Sequence, residues 1–305
     1  MVKKEQVKNT DGGLQIWKVI GVFALVFAAV QLAVAVFDVG IDYLMRLINA
    51  SDNLSVFVGS TVSRIGMIAM ILLITTPVIR SILKDPDSNR IYPRVKYWYK
   101  DLFAGIGISA IAMLIVFLVE LAFGWIRVSG LMLEGAAVDN WLRVMWLSIL
   151  INLTAVVGEE VLYRGLLLEG IKESWDERGA LFISAIIFGA SQIAAAGAKE
   201  TNWLQFIPFL ALPGVMLGWA YLKSGNLWLP TGLHFAWNLF QNDIFNLTGA
   251  HRGDTLFGFV TNVTGPKWAV GKSYGIEVGA VGILGLVLVS IGVWWWTKNR
   301  EKQSI

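Results

Sequence analysis

The sequence predicts an all-α, polytopic membrane helical bundle of about eight transmembrane helices with cytoplasmic termini, forming a single transmembrane domain over residues 1–305. Three observations predict it. The chain is 56% hydrophobic and only 15% charged, with a mean hydropathy of +0.62, whereas soluble domains are roughly a quarter charged. Apolar runs of about 20 residues, the length that crosses a hydrocarbon core, recur from end to end. Basic residues fall in alternate loops, the asymmetry that orients membrane proteins.

The first span is placed at 16–37, behind Lys3, Lys4 and Lys8. Its apolar run is longer than a secretory h-region, so it reads as a retained helix and not a signal peptide. Further spans follow at 55–82, 101–125, 141–168, 179–197, 203–222, 227–247 and 276–297. Arg80, Lys84, Arg90, Arg94, Lys96 and Lys100 follow the second span, Lys172 and Arg178 the fourth, and Lys298, Arg300 and Lys302 the last. The opposite loops offer Arg46, Arg127, Lys199, Arg252, Lys267 and Lys272, the last three within a long loop where the rule counts for less. Both ends are therefore expected inside, in an integral protein of the cell membrane.

Several features have structural readings. The segment 84–100 is expected at the interface, where Arg94, Lys96, Lys100, Tyr97, Trp98 and Tyr99 suit anionic lipid headgroups. Trp141, Trp146, Trp203, Trp228 and Trp294 to Trp296 read as interface anchors. Gly275, Gly279, Gly282 and Gly285 permit close packing of the last helix. A net charge of +3 is explained by topology, so nucleic acid is not an expected partner. With no cysteine there is no disulfide, thiol nucleophile or thiolate metal site.

Chemistry concentrates in Gly158-Glu159-Glu160-Val161-Leu162-Tyr163-Arg164-Gly165, which puts three ionisable residues in an otherwise apolar span. Such residues persist mainly where they face a polar cavity or each other. A helix emerging into headgroups would also explain them, but Leu166 to Leu168 follow Arg164 and argue against an exit. Glu160 and Arg164, four apart, can pair on one face, while Glu159 lies about 100° around the helix and can point into a cavity. On a later span His234 and Asn238 share a face. A lone histidine in an apolar helix commonly makes an interhelical hydrogen bond. The topology nevertheless brings His234 to the cytoplasmic half, as it does Glu159.

The order Glu-Glu-x-x-x-Arg, Phe-x-x-x-His, His-x-x-x-Asn on successive membrane helices resembles the CPBP family. These are the CAAX-processing and bacteriocin-processing intramembrane proteases, also called the abortive-infection family. Glu159, Glu160 and Arg164 match the first motif, and His234 and Asn238 the third, after a similar Leu227-Trp228-Leu229-Pro230 entry. The resemblance spans about 140–247, a CAAX protease-like core. In the second motif, Phe188 is followed by Gln192 where the family has histidine. The resemblance implies a hydrolase, an endopeptidase in which Glu159 activates water, His234 and Asn238 stabilise the oxyanion, and Glu160 with Arg164 orients the site. Gln192 inherits the histidine's position but cannot take a proton at neutral pH.

The expected partner is a membrane-associated peptide or protein substrate. No cofactor is certain. The family is often labelled metalloprotease, but a zinc site generally takes three protein ligands of His, Cys or carboxylate type. The available set is Glu159, Glu160 and His234, so zinc is allowed by the label and weakly supported by the residues. A second reading is a catalytically inactive member whose cavity binds or regulates a membrane peptide, favoured by Gln192. A transporter would be marked by inverted repeats and broken helices, and the sequence has neither.

Overall fold

The computed structural model describes residues 12–48, 53–83, 98–131, 138–195, 207–247, 258–271 and 276–298. The long helices come first: α1 (Gly12–Leu47), α2 (Asn53–Leu83) and α3 (Trp98–Ala122). Strand β1 (Ile126–Leu131) leads to α4 (Val138–Glu159), a π-helical segment (Glu160–Leu168) and α5 (Glu169–Ser174). Next come α6 (Glu177–Ala195), α7 (Ile207–Ser224), α8 (Trp228–Asn238) and a second π segment (Leu239–Ile244). The chain ends with β2 (Phe259–Val263), α9 (Lys267–Val270), a 3-10 turn (Ile276–Val278) and α10 (Ala280–Thr297). Each apolar run singled out in the sequence is helical over most of its length.

Five of these helices are long and apolar enough to cross a membrane: Gln15–Leu47, Val56–Leu83, Trp98–Ala122, Asn140–Ser174 and Ala280–Thr297. The molecule is thus an all-α membrane bundle, with one small two-stranded sheet among the described residues. The helices α6, α7 and α8, also expected to span, fall outside that set of five. The fourth span, expected to stop at 168, runs on through α5 to Ser174. Nothing in Glu169-Gly170-Ile171-Lys172 forces an end, and Glu169 is held inside by Tyr221 Oη donating to it at 3.0 Å and by Lys172 Nζ at 2.7 Å. The first helix also outruns its apolar stretch, because Ser63 of α2 donates to Asp38 at 2.7 Å and so accommodates a charge past residue 37.

Two apolar clusters divide the interior. One joins α1, α2 and the first π segment through Phe23, Ile71, Leu162 and Leu166. The other joins α3, α8 and α10 through Met113, Val116, Leu233 and Val289. Helices α3 and α8 lie backbone to backbone: a Cβ on Gly232 would meet the Leu102 carbonyl, and one on Gly105 the Leu229 carbonyl. Small residues likewise seat α7 on α6, where a Cβ on Gly189 would meet Ala211 and one on Gly214 would meet Ala185. Close approach of this kind substitutes for a hydrophobic driving force between helices in lipid.

Not every tryptophan serves only as an interface anchor. Trp296 donates through Nε1 to Asp101 of α3 at 2.9 Å, and Trp228 packs against Trp98 with ring centroids 4.2 Å apart. Asp101 also accepts from Asn226 at 2.9 Å, while Asn226 Oδ1 accepts the Trp228 N–H. That buried node fixes the start of α8. Pro230 sits in the first turn, where its missing N–H costs nothing. Most of the segment 84–100, together with Lys3, Trp203, His251 and Lys302, lies outside the described residues.

Candidate active site

The two apolar clusters meet at a polar seam between the first π segment and α8. Glu160 is fully buried and its Oε1 takes two hydrogen bonds, from Arg164 Nη1 at 2.9 Å and from His234 Nδ1 at 2.8 Å. With Arg164 donating to the same oxygen, Glu160 Oε1 acts as the acceptor, so the imidazole donates its Nδ1–H to Glu160 and turns Nε2 away from it. The pairing of Glu160 with Arg164, expected from their spacing, is present although the helix there is π-wound. Arg164 is 1% exposed. Its guanidinium lies 4.5 Å from the centroid of the Phe188 ring, and Nη2 reaches the Gly214 carbonyl at 3.5 Å. Phe188, known from the sequence only as the start of the second motif, therefore works as a cation–π platform. Its ring also stands edge-on to His234, centroids 6.1 Å apart.

Glu159 points elsewhere, as its position around the helix requires. Its side chain is 32% exposed where that of Glu160 is 0%. Its Oε2 faces His234 Nε2 at 3.6 Å and accepts from Gln192 Nε2 at 3.4 Å. Three separate helices thus converge on one carboxylate oxygen. Glu159 stands 15 residues before Ser174, where its helix ends, and Gln192 stands 15 residues after Glu177, where α6 begins, so the two reach similar depth. Asn238 is half-buried one turn beyond His234 and, among the described residues, hydrogen-bonds none of the other five side chains.

Two of the three motif-bearing helices change to π winding beside their polar residues, α4 at Glu160 and α8 after Asn238. Such segments are rare and cluster at functional sites. No sequence signal announced them.

Residues 141–240 match the family Type II CAAX prenyl endopeptidase Rce1-like. Over that stretch the chain is similar to the Rce1-like endopeptidases, in agreement with the CPBP resemblance of its motifs. The matched stretch is about a third of the chain and covers Glu159, Glu160, Arg164, Gln192, His234 and Asn238. No curated protein and no solved structure gives a significant match. At family level the Rce1-like assignment implies an intramembrane protease, and with the apolar helices it makes this an integral membrane protein. The metalloprotease label finds no support in the donor set. Glu160 Oε1 is committed to Arg164 and to His234 Nδ1 and its unpartnered Oε2 is buried, so the accessible donors are Glu159 and His234 Nε2, two where zinc generally takes three. Among the described residues no group of three His, Cys, Asp or Glu side chains is arranged to hold a metal.

Proposed function

We propose that this Rce1-like protein is an intramembrane endopeptidase that hydrolyses a peptide bond of a membrane-associated substrate with water activated by Glu159, near the cytoplasmic face of the cell membrane. The observation that carries the reading is the convergence of Gln192 and His234 on the partly exposed Glu159 carboxylate. Glu159 removes a proton from water as its oxygen attacks the scissile carbonyl. The new oxyanion accepts hydrogen bonds from protonated His234 Nε2 and from the Asn238 amide. The proton held by Glu159 then passes to the leaving amine. Glu160 and Arg164 do not touch substrate; they hold the imidazole in one orientation. Gln192 steadies Glu159 through its amide but cannot move a proton.

Purified protein assayed against a membrane peptide library tests the reading, with native, Glu159→Gln and Gln192→His forms side by side. Gln192→His places a titratable ring beside Glu159 and is expected to raise turnover by at least about tenfold, or roughly 1.4 kcal/mol of barrier. A silent Gln192→His in a protein whose cleavage depends on Glu159 means that glutamine already suffices. The second reading, a non-catalytic member that binds a membrane peptide, is favoured by Gln192 itself. It prevails if native and Gln192→His forms are both inert while a membrane partner binds each of them.

The cytoplasmic placement rests on eight spans. In its support, β1 follows α3 and β2 follows the second π segment, and the two pair antiparallel, Ile126 opposite Val263. Loops after the third and seventh of eight spans must share a side. Because the chain has no cysteine, introduced cysteines report cleanly. Those at positions 3 and 302 are expected to label from the cytoplasm and one at 251 only from outside. Cytoplasmic labelling at 251 would overturn this orientation.

A further inference from the structure

Two turns before Glu159 on α4, Asn152 donates through Nδ2 to Asp243 Oδ2 at 2.6 Å. The same amide reaches the Ser148 carbonyl one turn back at 3.0 Å, which orients it. Both partners are buried, Asn152 to 8% and Asp243 to 2% exposure. A carboxylate in an apolar bundle is costly to desolvate and is a poor device for stability alone. Asp243 belongs to none of the three motifs. It lies in the second π segment, five residues beyond Asn238, and its backbone carbonyl accepts the Gly258 N–H at 3.0 Å.

The seven-residue interval from Asn152 to Glu159 is close to two helical turns, so both project from one face of α4, about 10 Å apart along the axis. The helix carrying His234 is therefore tied to α4 and its continuation at two levels. Glu160 holds His234 at one level and Asn152 holds Asp243 at the other. Asn238 lies between the two ties in sequence, on the last α-helical residue before the π segment. Since its side chain makes no hydrogen bond to the cluster, its distance from Glu159 is set by the helix that carries it. Apolar contact alone would allow that helix to slide or change winding. A short hydrogen bond fixes both distance and direction. Nearby Gln241 Oε1 and Ser148 Oγ have no hydrogen-bond partner among the described residues, so neither duplicates the tie.

We propose that Asn152 and Asp243 are positioning residues: their hydrogen bond clamps the π-wound end of the helix to α4 and so sets where Asn238 stands relative to Glu159. The clamp rests on the endopeptidase reading for its effect on rate, but not for its effect on the helix. Two measurements on the full chain in lipid nanodiscs separate these. Steady-state cleavage of a membrane peptide gives kcat and KM, and hydrogen exchange of residues 239–244 reports the winding directly.

Asp243→Leu and Asn152→Leu are each expected to lower kcat by about 10-fold to 100-fold with KM within about threefold of native, the signature of a displaced catalytic group. Exchange at 239–244 should quicken by about tenfold or more, since opening there no longer breaks the tie. The exchanged pair Asn152→Asp with Asp243→Asn keeps an amide–carboxylate hydrogen bond and should return both readouts to near native. If Asp243→Leu does not fold, Asn152→Ser, too short to reach Asp243, serves as the single variant. Native kcat and exchange in the single variants overturn the clamp, as does an exchanged pair no better than either single change. In a protein that cleaves nothing, exchange alone decides the clamp, and the endopeptidase reading fails separately.

Discussion

Replacing Glu159 with glutamine is expected to lower peptide hydrolysis by about 100-fold to 10,000-fold, the usual worth of a positioned general base. The substitution is nearly isosteric and keeps a hydrogen-bonding partner for Gln192 at 3.4 Å, so the helices stay in place. What is lost is the ability to accept a proton. In the proposed mechanism Glu159 and not Glu160 does this work, since Glu159 is partly exposed and is not bound to Arg164, whereas Glu160 is enclosed and paired with it. Single-turnover cleavage by native and Glu159→Gln proteins, with equal melting temperatures as the control, gives the answer. Unchanged cleavage would move the base elsewhere, with His234 Nε2, 3.6 Å away, the first group to examine.

Arg164→Ala is expected to be the most damaging change to folding, at roughly 3 to 5 kcal/mol, because removing one member of a buried pair strands the other charge. Glu160 would keep its contact with His234 but lose its cation, and the Phe188 ring would lose the guanidinium over its face. Arg164→Lys should rescue only part of the loss, since an ammonium cannot both pair with Glu160 and lie flat on Phe188. Melting in detergent, with Glu159→Gln as the mild comparison, measures this. An Arg164→Ala protein that melts like native would mean the pair contributes nothing to stability. Loss of activity without loss of stability would make Arg164 purely an orienting group.

Part of the candidate site's geometry was legible in the sequence. The spacing of Glu160 and Arg164, the different bearing of Glu159 and the shared face of His234 and Asn238 are consequences of helical periodicity. Less legible were the residues that act between helices. Phe188 was marked only as the start of the second motif, with no sign of its contact with Arg164, and Asn152 and Asp243 are 91 residues apart. A polar residue in an apolar span was the available signal for both of the latter, but it does not name a partner.

The sequence by itself determined that this is a membrane bundle, roughly where its helices run and which polar side chains they carry. Those properties follow from local composition and periodicity, because an apolar run of sufficient length in lipid must satisfy its own backbone and so must be helical. Only the tertiary structure decided that the fourth helix continues to Ser174, that two helices turn π-wound beside their polar residues, and that Glu159 meets Gln192 and His234 at one oxygen. The physical reason is that helix ends, winding and depth are settled by contacts with other helices. Tyr221 holding Glu169, Asn226 tied to Asp101 and Gly105 against the backbone of α8 all join residues far apart in the chain. Local periodicity carries no record of such contacts.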